Sequence, residues 1–153
     1  MTSLPFFPLA LAFCLLGACV IVQASMIVLL MRWYGTLRTP RPFPLLRSAW
    51  LLVRVAWWVV IAHLVQIAMW ALAYIWIGAL PEPMVAFYFS GVTYTTVGYG
   101  DVLLPDRWHL LAGIEGLTGI LMAGWSTAIL FAILHRLLLP AEHAHAPKPG
   151  VRP

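Results

Sequence analysis

Between two apolar runs long enough to cross a bilayer, this chain places a segment too short to do so. Residues 81–101 read PEPMVAFYFSGVTYTTVGYGD. Pro81 stops the preceding helix, and Glu82 and Pro83 suit the first turn of a new one. From Pro83 to Thr95 there is room for about 13 residues, roughly 20 Å of helix, which reaches about halfway into a membrane and must return. A re-entrant helix of this kind is tolerated only where protein or water surrounds its end. The stretch that follows, TTVGYGD, is backbone that cannot be helical.

The flanking runs establish the solvent. Of the 153 residues, 63% are apolar and only 9% charged, too few charges to cover a soluble domain, so the bilayer is the expected surroundings. A soluble catalytic or ligand-sensing domain does not fit, and neither an enzymatic activity nor a cofactor is expected. Leu9 to Met31 is interrupted only by Gln23 and Ser25 as polar side chains, and at about 23 residues it is long enough to span. Residues 1–8 lack the basic side chain of a signal peptide, so this reads as a retained helix. Val55 to Leu80 forms a second span rich in tryptophan, with residues 45–54 as an amphipathic prefix at the interface. Its mid-span His63 and Gln66 suit hydrogen bonds between helices. Arg107 to Leu139 is the third span.

The basic residues Arg32, Arg38, Arg41, Arg47 and Arg54 gather between the first two runs. They act there as a topology signal that places this loop in the cytoplasm and the N-terminus outside. They are not a nucleic-acid patch, and Pro40, Pro42 and Pro44 break any voltage-sensor spacing. The third span then returns to the cytoplasm. The tail PAEHAHAPKPGVRP reads as disordered, with Glu142, His143 and His145 a weak metal candidate. Cys14 and Cys19 sit five apart in the first run, off one helical face, and read as packing residues. Three units follow: 1–45, an N-terminal helix and basic loop; 46–139, the two later spans with the re-entrant segment between them; 140–153, the tail. The fold class is an all-α membrane protein with three transmembrane helices, a re-entrant helix and an extended loop.

The topology puts residues 95–101 where the chain climbs from mid-membrane back toward the outer surface. Extended backbone there has no helical partner for its carbonyls, which cost several kcal/mol each in hydrocarbon unless something replaces water. A desolvated cation does so if several carbonyls point at it together. That requires alternating backbone handedness, which Gly98 and Gly100 allow without a side-chain clash. The preceding helix directs its C-terminal dipole, about half a negative charge, at the same place.

TTVGYGD resembles the selectivity filter of potassium channels, and the resemblance extends over residues 46–139 as outer helix, pore helix, filter and inner helix. It implies K⁺ contacts from the carbonyls of Thr96, Val97, Gly98 and Tyr99 and from the Thr96 hydroxyl, with Gly100 shaping the outer mouth. Asp101 would bind behind the filter or attract cations. Family members commonly hold that aspartate with a tryptophan on the pore helix; Tyr88 stands at the matching place, with Phe89 beside it. Val92 replaces a glutamate found in some members, which puts glutamate-dependent inactivation in doubt. One filter per chain implies a homotetramer, with heteromeric or regulatory partners left open.

The inner helix contains Gly113, Gly116, Gly119 and Gly124, a spacing that permits close helix packing. The family's glycine hinge would fall at Gly119 or Gly124. Steps of 100° put Ile120, Ala123, Thr127 and Phe131 on one stripe, expected to line the cavity with Phe131 near a constriction. Glu115 lies off that stripe and is expected to brace the filter through Ser90, Thr93 or Tyr94. His135 reads as an interfacial side chain, with a pH-sensitive gate as the rival reading. The expected function is passive, potassium-selective conduction in a plasma (inner) membrane. The alternatives are a non-conducting regulatory or scaffold subunit and a weakly selective monovalent cation channel. The gating stimulus is not legible.

Overall fold

The computed structural model of the chain describes residues 6–36 and 45–138. The central arginines and prolines of the basic loop and the His-containing tail lie outside the described residues. Helix α1 covers Phe6–Thr36, α2 Leu45–Trp76, α3 Pro83–Tyr94 and α4 His109–Leu138, the last preceded by a 3₁₀ turn at Asp106–Trp108. Helices α1, α2 and α4 are each long and apolar enough to cross a membrane, whereas α3 has 12 residues. The chain is an all-helical membrane protein with three candidate spans and one short helix between the second and third.

Both boundaries of the second span differ from expectation, for local reasons. The amphipathic prefix at 45–54 and the second span form one continuous helix. That helix ends at Trp76 rather than Leu80, because Gly78 turns into the left-handed region at φ 66°. The Gly78 N–H donates to the Ile75 carbonyl at 3.0 Å, and the Ala79 N–H to the Tyr74 carbonyl at 3.0 Å. This paired capping closes the helix at a residue with no side chain to clash. Helix α3 then starts with Pro83, whose missing N–H has no helical partner to lose in the first turn.

Helix α3 packs on α2 and α4, and α1 lies along α4 and α2. The interior divides into two apolar clusters. One holds Ala12, Cys19, Trp70, Tyr74, Phe89, Tyr94, Leu111 and Met122 around α3. The other holds Met26, Leu30, Val55, Val59, Ala62, Ile129 and Ile133, beyond the end of α3. Between them lies a layer of polar side chains from α1, α2 and α4: Gln23, His63, Gln66 and Ser126. Near the far end of the second cluster the Arg54 guanidinium stacks 4.6 Å from the Trp33 ring, joining α1 to α2.

Candidate functional site

The last turn of α3 hands its carbonyls to the strand that follows. The Thr95 N–H and hydroxyl both donate to the Gly91 carbonyl, at 3.2 and 2.7 Å. The Thr96 N–H donates to the Thr93 carbonyl at 2.9 Å and the Gly98 N–H to the Val92 carbonyl at 3.0 Å. Orphan carbonyls at a helix end need such partners. Here the strand supplies them with its amides and keeps its own carbonyls for other use.

The strand itself alternates in handedness. Thr96, Gly98 and Gly100 have φ of 63°, 50° and 75°, while Val97 and Tyr99 between them stay at negative φ. Alternation at every second residue turns successive carbonyls toward one side. The glycines adopt it freely. Thr96 does not: a β-branched residue at positive φ is an outlier and costs on the order of 1–3 kcal/mol. The sequence had pointed to the two glycines, and the third left-handed position has no signal of its own.

Two side-chain braces flank the strand. On the outer side the Tyr88 hydroxyl donates to Asp101 Oδ2 at 2.7 Å, and the Val102 N–H donates to Oδ1 of the same carboxylate at 3.1 Å. Behind α3 lies Glu115 of α4, fully buried. The Tyr74 hydroxyl of α2 donates to Glu115 Oε2 at 2.7 Å, and Ser90 Oγ of α3 lies 2.5 Å from Oε1 and 2.9 Å from the Ile67 carbonyl. Of the three expected partners of Glu115, Ser90 meets it, while the Tyr94 hydroxyl bonds to Gln66 instead; the Tyr74 partner carries no signal in the sequence. Its phenol was hidden in a run of apolar and aromatic residues.

Gly119, offered from sequence as a hinge, sits hard against the end of α3. A Cβ there would overlap the Tyr94 carbonyl oxygen, and one at Gly116 would touch the Thr93 carbonyl at 3.5 Å. Gly113 and Gly124 face open space. The glycine pattern is therefore a close-packing device at two of its four positions.

Beyond the C-terminus of α3 a cavity of about 390 Å³ is lined by His63, Tyr94, Thr95, Thr96, Ile120 and Ala123 among others. Ile120, Ala123, Thr127 and Phe131 are all exposed in the single chain, and Gly124 is exposed beside them. The Phe131 ring packs against His135 with centroids 6.0 Å apart. The negative end of the α3 dipole faces this cavity, which favours a cation there.

A half-membrane helix ending in a strand of alternating handedness, braced on both sides within an apolar bundle, defines a membrane protein built around a pore loop. A family model described as "Ion channel" matches residues 50–136, more than half of the chain. The chain belongs to this ion channel family. Neither a curated protein nor a solved structure matches it. Helix α1 lies wholly outside the matched stretch.

Proposed function

We propose that this protein is a potassium-selective pore, assembled as a homotetramer and passing K⁺ passively. The observation that carries this reading is the alternating handedness at Thr96, Gly98 and Gly100 within TTVGYGD. It orients the carbonyls of Thr96, Val97, Gly98 and Tyr99 as a column of oxygen ligands, with the Thr96 hydroxyl at the inner end. A dehydrated cation requires oxygens on every side, and one chain offers one strand. Exposure of Val97 at 52% and Tyr99 at 71% supports the presence of further copies around the same axis. So does the exposed row Ile120, Ala123, Thr127 and Phe131, which would line a shared cavity below the filter. The basic loop orients the bundle with both that loop and the C-terminus in the cytoplasm.

Flux into liposomes containing the purified protein, with sodium as competing ion, tests the reading. Potassium-selective flux is expected, and Gly98→Asp should abolish it, because aspartate at φ 50° is strained and its carboxylate would crowd the column. Equal passage of sodium would identify a non-selective pore instead. Absence of flux across pH values and lipids would favour a non-conducting subunit.

A further inference from the structure

Helix α1 is outside the family match, yet it is bonded into the middle of the bundle. Gln23 is fully buried, and both ends of its amide are engaged. Its Nε2–H donates to Ser126 Oγ on α4 at 2.9 Å, and its Oε1 accepts from Gln66 Nε2 on α2 at 2.9 Å. Gln66 Oε1 in turn accepts from the Tyr94 hydroxyl at the end of α3, at 2.6 Å. Tyr94 has then used its only proton, so its oxygen is the acceptor for His63 Nδ1, 2.9 Å away. His63 Nε2, left without a proton, accepts from the Ser126 hydroxyl at 3.0 Å.

The bonds close into a ring. Gln23 donates to Ser126, Ser126 to His63, His63 to Tyr94, Tyr94 to Gln66, and Gln66 back to Gln23. Each member donates once around the cycle and accepts once, every donor pointing the same way round. All four helices contribute. With the Gln23 and Gln66 amides oriented in this sense, the cycle closes only with His63 neutral and protonated at Nδ1. Bonds in one direction polarise one another, so opening the ring at any member weakens the rest.

The ring converges on the filter at one residue. Tyr94 is the last residue of α3, two positions before the strained Thr96. Its hydroxyl belongs to the ring and its carbonyl rests against Gly119. Tyr94 is thus held at both ends, and its hydroxyl end is held by Gln66, whose amide in turn donates to Gln23 Oε1. We infer that Gln23 is a positioning residue for the filter, acting through Gln66 and Tyr94, and that α1 is a working part of the pore. The permeation arm of this inference rests on the potassium-pore reading above.

The test compares Gln23→Leu, Gln66→Leu, the double variant, and Met26→Leu as a control. Met26 is buried on the same helix, within the second apolar cluster. In each variant three things are measured: sodium-to-potassium permeability in liposomes, amide hydrogen exchange at residues 95–98, and the ¹⁵N signals of His63. Gln23→Leu is expected to raise the sodium-to-potassium ratio roughly two- to tenfold, the size of one net hydrogen bond. Exchange at 95–98 should quicken, and the His63 signals should move away from a single Nδ1–H tautomer. The double variant should be no worse than the poorer single variant, since both open one cycle. Met26→Leu should leave all three readouts unchanged.

Wild-type permeability ratio, exchange and His63 signals in a folded Gln23→Leu protein would overturn the inference. So would equal changes in Met26→Leu, which would reduce α1 to a packing element. If the unmodified protein passes no ions, the potassium-pore reading fails on its own. The positioning role is then decided by exchange and the His63 signals, which need no conduction: changes confined to the Gln23 and Gln66 variants uphold it, and their absence overturns it.

Discussion

The two halves of α4 are attached to the rest of the bundle by different forces. From His109 to Ser126 the helix is tied by directed contacts: Gly116 and Gly119 against the end of α3, Glu115 to Tyr74 and Ser90, and Ser126 in the polar ring. From Thr127 onward its described buried contacts are apolar, Ile129 and Ile133 against Met26, Leu30, Val55 and Val59. In a bilayer this distinction has weight, because lipid tails are as apolar as the side chains and compete for such contacts on nearly equal terms. A hydrogen bond or a backbone contact specifies one position; an apolar surface tolerates several. The half beside residues 95–101 is therefore built to a single geometry, and the half beside Phe131 is built only to stay packed.

Substitutions along α4 sharpen that contrast. The largest effect is expected from Gly119→Ala, whose methyl group must displace the Tyr94 backbone. A loss of about 1–3 kcal/mol should appear as an earlier thermal transition in detergent, with selectivity reduced in whatever folds. Glu115→Leu comes next: it leaves Tyr74 without its acceptor and removes a partner of Ser90, at a cost of about 1–3 kcal/mol for a buried group left unpaired. Glu115→Gln is the informative companion. Its amide still accepts from Tyr74 and can donate to Ser90, which then gives its own proton to the Ile67 carbonyl. Stability within about 1 kcal/mol of the parent is expected. A loss as large as that of the leucine variant would mean the brace requires a carboxyl group.

Neighbouring hydroxyls offer a smaller and cleaner comparison. Ser126→Ala removes a ring member and should cost about 1–2 kcal/mol by chemical or thermal denaturation. Thr127→Ala removes only a bond back to the Ala123 carbonyl on the same helix, and should stay within about 0.5 kcal/mol. Equal losses would break the proposed division between the halves at this point. The smallest effect is expected at Gly124, where a Cβ meets open space within the chain. Gly124→Ala should be neutral or stabilise by about 0.5–1 kcal/mol through helix propensity alone. Marked destabilisation there would show that another chain packs against that face.

Much of the architecture was legible because it follows from local rules. Apolar length forces spans, prolines forbid continuing α2 through residues 81–83, and two glycines two residues apart signal alternating backbone. The pairing of Tyr88 with Asp101 was expected from a resemblance and the two side chains meet at 2.7 Å. The end of α2 falls at Trp76 and not at the expected Leu80, since a glycine inside an apolar run announces a helix stop only when its φ is known.

Sequence alone determined that this chain belongs in a membrane, that three of its segments are long and apolar enough to cross it, and that residues 95–101 need something other than lipid beside their carbonyls. It also showed polar groups in mid-span, Gln23, His63 and Gln66, each of which must find a partner in hydrocarbon. Which partner was a tertiary decision. They and their partners, at positions 23, 63, 66, 94 and 126, lie on four helices whose relative rotation and depth are set by the whole bundle. Hydrogen bonding requires placement to a few tenths of an ångström, which no one-dimensional spacing carries. The same holds for Gly119, whose role came from the helix that happened to lie against it. Spans are a property of composition along the chain; the ring that ties α1 to the end of α3 is a property of how the helices meet.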